Sequence, residues 1–224
     1  MNTSILTEFK PIPAVIQGVQ VWLDPFKAMY IPDHNALLIS DLHVGKAGHF
    51  RKNGIALPET VGTNNMWNLS ALMDRYEPSD VYFMGDLCHS HSNEEVGQFA
   101  DWKAGYSTAR FTLIRGNHDI LPQADYIKLG LEVADEQEVG PFRLIHDLEE
   151  MGVAEGTYTL SGHIHPCVRL VGNRRVNTMR LPCFWFAQQF GVLPAFGDFT
   201  GTHRVRPRKG DEVYVCAGKT VKKF

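Results

Sequence analysis

The sequence predicts an α/β protein in which short strands alternate with helices before giving way to a strand-rich remainder. Three observations carry that reading. Apolar, β-rich runs such as Ala36-Leu37-Leu38-Ile39 and Val81-Tyr82-Phe83-Met84 recur along the chain. Between them, apolar residues fall near a helical period. Five of the apolar runs end in a polar cluster, and in sheets layered with helices ligands collect just beyond the carboxyl ends of strands.

In chain order, Val19 to Leu23, Ala28 to Ile31 and Ala36 to Ile39 read as strands, the last two joined by a turn at Pro32-Asp33-His34-Asn35. From Pro58 to Tyr76, apolar Val61, Met66, Leu69, Leu72, Met73 and Tyr76 keep a helical period, with Pro58 suited to the first turn. A second helix is capped by Ser92 or Asn93 and buries Val96, Phe99 and Trp102; Glu94 and Glu95 suit its positive end. The run Phe111 to Ile114 is the next strand, and a shorter helix starts at Pro122. Phe142 to Ile145 and Tyr158 to Leu160 follow as strands, then Cys167 to Val171, Cys183 to Phe186 and Glu212 to Cys216. No repeat, linker or low-complexity segment marks a boundary, so 224 residues with 44% hydrophobic content are read as one domain spanning 1–224.

The first residues lack the charged start and long apolar stretch of a secretory signal, and no run approaches a membrane span, so a soluble, cytoplasmic chain is expected. Cys88, Cys167, Cys183 and Cys216 show no CxxC spacing and are read as reduced, mostly buried thiols. Cys88 and Cys167 lie within two residues of candidate ligands, which leaves a thiolate ligand open. Charge is uneven: residues 1–168 carry a net −11 and residues 169–224 a net +8. The late cations, among them Arg204, Arg206, Arg208, Lys209, Lys219, Lys222 and Lys223, form either a patch for a polyanion such as nucleic acid or a solvated face.

The chemistry lies in five clusters: Asp41-Leu42-His43, Gly85-Asp86, Gly116-Asn117-His118-Asp119, His146 and Gly162-His163-Ile164-His165. Carboxylates, an amide oxygen and imidazoles are the donors that a pair of divalent metals needs. Taken singly, each has a plain structural reading as a turn or a hydrogen-bonded histidine. On a straight strand, the two-residue spacing of Asp41 and His43 would point both side chains to one face. Asp86 can place one carboxylate oxygen on each of two metals.

Taken together and in this order, the five blocks resemble the calcineurin-like metallophosphoesterase superfamily, with its D-x-H, G-D, G-N-H-D/E, H and G-H-x-H pattern. The likeness spans residues 41 to 165 with no block missing. It implies a four-layer α-β-β-α sandwich with two mixed β-sheets. It also implies one metal held by Asp41, His43, Asp86 and His165, and a second by Asp86, Asn117, His146 and His163, with Asp86 as the bridge. His118 would act on the phosphoryl group or the leaving oxygen, and Asp119 would hold its tautomer and orientation. The implied metals are two divalent ions, Mn²⁺ first, with Fe²⁺ or Zn²⁺ as alternatives.

A narrower resemblance is to the bacterial DNA ligase-associated metallophosphoesterases. It rests on Asp41 to Lys46, Phe50-Arg51, Gly54 to Pro58, Gly85 to Ser90, Arg180 to Trp185 and Leu193 to Gly201. Thr202 stands where that family often has a second glycine. The likeness implies DNA repair, nucleic acid as substrate, and association with a ligase and helicase group. The expected reaction is hydrolysis of a phosphodiester, at nucleic acid ends or in nucleotide diesters, by in-line attack of a hydroxide held by the metals. A phosphomonoesterase for a small nucleotide or protein phosphate is the alternative, and a non-catalytic metal-binding scaffold of a repair complex a third. Lys46, Arg51 and His89 are candidate substrate contacts, since they follow metal blocks; His34, His49, His91 and His203 are assigned no role. The clusters are closely spaced along the chain, so no lid or cap insertion is expected, and an open cleft admits bulky diesters.

Overall fold

The computed structural model describes residues 7–46, 60–88, 94–171, 178–198 and 200–224. The first sheet has seven strands in sequence order: β1 (Ile12–Ile16), β2 (Val19–Leu23), β3 (Met29–Ile31), β4 (Ala36–Ile39), β5 (Asp80–Met84), β6 (Arg110–Ile114) and β7 (Glu132–Ala134). Its first four strands are antiparallel, because tight turns join them. The β3–β4 connection is the turn at Pro32–His34, closed by Asn35 in the left-handed region. From β4 to β7 the pairs are parallel, and parallel neighbours need crossovers. Helices α1 (Thr60–Tyr76), α2 (Glu94–Ala104) and α3 (Gln123–Lys128) lie in those crossovers.

The second sheet contains β8 (Gln137–Val139), β9 (Phe142–Leu144), β10 (Tyr158–Ser161), β11 (Pro166–Val171), β12 (Thr178–Phe186), β13 (Phe190–Val192), β14 (His203–Arg204), β15 (Glu212–Ala217) and β16 (Thr220–Lys223). Its backbone path runs β14-β11-β12-β13-β10-β9-β8, and β15 joins β12 to β16. This sheet is mixed as well: β9–β10 and β10–β13 are parallel, whereas β11–β12 and β12–β15 are antiparallel. The β9–β10 crossover runs through α4 (Leu148–Met151), a single turn capped by the Asp147 side chain.

Period-two patterning decides which residues face which layer. Leu38, Tyr82, Met84 and Ile114 point into an inter-sheet core that they share with Phe142, Leu144, Leu160, Phe184, Phe186 and Tyr214. Their neighbours Leu37, Ile39, Val81, Phe83, Phe111 and Leu113 point the other way, onto Leu69, Leu72 and Met73 of α1 and Phe99 of α2. The first sheet is therefore buried on both faces, which is why its central strands read as unbroken apolar runs. Two mixed sheets packed face to face, with helices outside, are the fold class that the sequence led us to expect. Within the described residues, no helix is long and apolar enough to cross a membrane.

The expected strands from Val19, Ala36 and Glu212 are present, and Thr60–Tyr76 matches the helix expected from Pro58. Pro58 itself and the caps Ser92 and Asn93 lie outside the described residues. The strand expected over Cys183 to Phe186 begins earlier, at Thr178, because Thr178 to Pro182 pair with β11 in a hairpin arm. All four cysteines are buried and free.

Candidate metal centre

The parallel strands β4, β5 and β6 end side by side, and the residues that follow carry Asp41, Asp86 and Asn117. In the second sheet β9 and β10 end in the same way, just before His146 and His163. The two sets of strand ends meet across the sandwich. The His163 amide donates to Asp41 Oδ2 at 3.1 Å, and the Gly197 amide, after β13, to the Asp41 carbonyl at 3.0 Å.

Local geometry departs from one expectation. Asp41 and His43 do not sit on a straight strand: both are left-handed, at φ 53° and 52°. Asp86 (51°), His163 (67°) and His165 (50°) share that conformation. Five of the seven candidate ligands thus occupy backbone that costs a non-glycine residue about 1–3 kcal/mol, a concentration that marks a built site. The conformations are held from outside. Asp41, His43 and Val44 donate their amides to the carbonyls of Gly85, Asp86 and Leu87, which locks the first loop to the second.

Two groups of donor atoms result. Asp41, His43 and His165 present one ligand atom each within 4.8 Å of one another, and so do Asp86, His146 and His163. Asp86 faces both: its Oδ2 is 3.8 Å from His43 Nε2, and its Oδ1 is 3.4 Å from His146 Nε2. Asn117 Oδ1 lies 3.1 Å from His146 Nε2, which places the amide in the second group. His163 Nδ1 is 3.1 Å from the same nitrogen.

The opposite ring nitrogens are fixed by backbone carbonyls. His146 Nδ1 is 3.0 Å from the Met84 carbonyl and His165 Nδ1 is 3.0 Å from that of Gly201. A proton on each Nδ1 leaves each Nε2 lone pair aimed at the centre, as metal-binding imidazoles require. Asp41 Oδ1 and His165 Nε2 are buried without a hydrogen-bond partner, 3.3 Å apart. Buried polar atoms that converge without protein hydrogen bonds are donors suited to a cation. Burial is the largest influence on Asp41 and opposes its ionisation. His165, His146 and the Ser40 hydroxyl outweigh it and hold the carboxyl below its ordinary value. These donors fit a pair of divalent cations.

Glycines make the approach possible. A Cβ on Gly85 would lie 2.0 Å from His146 Nδ1, at φ +78°. On Gly116 it would lie 2.5 Å from both the amide nitrogen and Oδ1 of Asp86.

His118 stands beside the first group, its ring 5.8 Å from that of His43, with its amide donating to Asp86 Oδ1 at 2.9 Å. Asp119 Oδ1 accepts from the amides of Leu87 (2.9 Å) and Cys88 (3.2 Å), and its Oδ2 from that of Gly116 (2.9 Å). These bonds pin the loop after β5 to the loop after β6. Burial pushes the Asp119 carboxyl up to about 6 against the pull of those amides, with the Asp86 charge adding to the rise.

Of the expected substrate contacts, Lys46 is half-buried at the site. Burial lowers its pKa, and the charges of Asp86 and Asp41 partly restore it. Arg51 and His89 lie outside the described residues, as do His49 and His91. His34 packs under Gly140, away from the centre. Cys88 and Cys167 belong to neither donor group. Sequence reasoning missed Asp147, whose Oδ2 is 3.5 Å from His163 Nε2, and Ser40, whose hydroxyl donates to Asp41 Oδ2. Asp147 directly follows His146, and that adjacency was the available signal.

A two-sheet α/β scaffold with paired carboxylate and imidazole groups at its strand ends defines a class of metal-dependent hydrolases. The calcineurin-like phosphoesterase family model matches residues 34–205, and the chain belongs to that family. Among solved structures, it is similar to the nuclease MPE of Pseudomonas putida at 29% identity and a TM-score of 0.81, over 96% of this chain and 100% of that one. A protein of unknown function from Aquifex aeolicus aligns at 18% identity and TM-score 0.40, over 58% of this chain and 78% of that one. The phosphoesterase Yfce of E. coli aligns at 12% and 0.41, over 80% and 86%. Neither of these two likenesses is high enough to bear on the site. No curated protein matches the chain.

Proposed function

We propose that this chain is a two-metal phosphodiesterase acting on nucleic acid ends or nucleotide diesters, built as one domain over 1–224 without a lid or cap insertion. The observation that carries the reading is Asp86, whose two carboxylate oxygens face one histidine group each. The similarity to a nuclease along nearly the whole chain supports nucleic acid as the substrate class. In this reading Asp41, His43, Asp86 and His165 hold one ion, and Asp86, Asn117, His146 and His163 the other. Mn²⁺ is the first choice, with Fe²⁺ and Zn²⁺ as alternatives. A place in DNA repair beside a ligase and helicase group belongs to the same proposal.

When bound, such a pair of cations supplies Lewis acidity toward the phosphoryl oxygens and lowers the pKa of water for in-line attack. The rest falls to the side chains. Exposed His118, next to His43, is placed to donate a proton to the leaving oxygen or to stabilise charge on the phosphoryl group. Lys46 offers a cation to a flanking phosphate. Met84 and Gly201 carbonyls keep His146 and His165 in one tautomer, so no ligand must rotate during turnover.

A metal-reconstituted panel of chromogenic mono- and diesters, cyclic nucleotides and defined DNA or RNA ends tests the reading. Diesters are expected to turn over faster than monoesters, and His118→Ala to lose ~10²–10⁴-fold in rate while melting like the parent. Faster monoester turnover supports a phosphomonoesterase instead, and full activity in His118→Ala removes the role given to that residue.

A further inference from the structure

Beside the metal centre, a groove of about 1100 Å³ runs away from His163 along the second sheet. Half-buried Trp185 and Phe190 form part of its lining, packed edge to face at 5.2 Å. Exposed Arg204, Arg206, Arg208 and Lys209 supply its cations. Arg75, Arg110 and Arg143 each spend their guanidinium on a carboxylate. Among the described residues, none of the four groove cations forms such an ion pair, although Glu149 and Asp211 also line the groove. Asp211 is occupied otherwise: its Oδ2 accepts from the Trp185 indole at 2.8 Å and from the Arg208 amide at 2.8 Å. One carboxylate thus ties the basic segment to the aromatic wall and fixes the spacing between charges and rings.

We infer that this groove binds a single-stranded nucleic acid, leading the chain from the metal centre past Trp185 and Phe190 with its phosphates on Arg204, Arg206, Arg208 and Lys209. The inference deepens the nuclease reading and rests on it. Unpaired cations along a groove take up a regularly charged backbone. Aromatic rings that line a groove can stack on bases only when those bases are unpaired, which favours a single strand over a duplex. The strand-rich, net-positive last quarter of the chain thereby acquires a task distinct from the acidic, metal-binding part.

The test is fluorescence anisotropy of Mn²⁺-loaded protein with labelled oligothymidylate and oligouridylate that carry hydrolysis-resistant phosphorothioate linkages. The exposed double reversal Arg206→Glu/Arg208→Glu, with its melting checked against the parent, is expected to weaken binding at least about tenfold. It is expected to flatten the log affinity against log salt slope by about 1.4. Lys10→Glu/Lys128→Glu, the same charge change at exposed residues outside the groove, is expected to stay within about threefold of the parent. Equal weakening by the two double variants, no weakening by the first, or a duplex bound as tightly as the strand overturns the groove. Hydrolysis of a small chromogenic diester by the parent protein keeps the two claims apart. Its absence with groove-dependent binding retained removes the diesterase reading alone, and its presence with unaffected binding removes the groove alone.

Discussion

At the scale of single residues, the centre is made by conformations that ordinary side chains avoid. Left-handed Asp41, His43, Asp86, His163 and His165 each carry a backbone cost of about 1–3 kcal/mol, offset by amide bonds between adjacent loops. Glycine is obligatory where one loop passes under another. Gly85→Ala would place a methyl 2.0 Å from His146 Nδ1 at a φ of +78°. The variant is expected to lose about 1–3 kcal/mol in denaturant melts and to displace His146, so that its metal content falls by inductively coupled plasma analysis. Unchanged stability together with full metal content would show that the glycine is not needed. The candidate ligands were legible through the resemblance of five ordered polar blocks to a known family, and the structure gathers Asp41, His43 and His165 into one group and Asp86, His146 and His163 into another. Sequence reasoning could not see that Asp119 accepts from three backbone amides, since that depends on where two loops meet.

At the scale of elements, the strands and helices that bracket the site are tied to the rest of the sheet by a buried carboxylate. Asp24 is fully buried in the β2–β3 turn. Its Oδ2 accepts from Arg75 (2.5 Å) and Tyr76 (2.8 Å) at the end of α1, and its Oδ1 from the Phe26 amide. This contact sets how α1 lies on the first sheet. Removing one partner of a buried pair leaves the other uncompensated, so Asp24→Ala is expected to destabilise by about 3–5 kcal/mol in urea. A loss under about 1 kcal/mol would mean that packing of Leu69, Leu72 and Met73 alone fixes the helix. The α1 helix was legible because its apolar period is long, and β4, β5 and β6 because they are buried on both faces. The short pieces β1, β7, β8, β13, β14 and α4 were not: with two to five residues each, they show too little periodicity and are fixed by tertiary pairing.

At the scale of the molecule, two sheets enclose one inter-sheet core and bring candidate ligands 124 positions apart in sequence into one cluster, from Asp41 to His165. All four thiols are consigned to the interior. Burial pushes the thiols of Cys88 and Cys183 up to about 12, so each stays protonated well above neutral pH. Alkylation by iodoacetamide at pH 8 is therefore expected to be slow in the native state and complete at four sites in denaturant, read by intact mass. Rapid native modification at any of the four would contradict the packing described. The charge asymmetry was legible in the sequence, but whether the late cations formed a patch or a solvated face was not. Arg204, Arg206, Arg208 and Lys209 line one groove, whereas Lys219 and Lys223 pair with Glu8 and Glu212, a division that only the tertiary structure makes.

Anomalous X-ray scattering from Mn²⁺-soaked crystals tests whether Asp86 bridges two metals. Two anomalous peaks roughly 3.5–4 Å apart are expected, one on each side of the Asp86 carboxylate. The first should be ringed by Asp41, His43 and His165, the second by Asn117, His146 and His163. A single peak, or two peaks that do not share Asp86, would contradict the bridge.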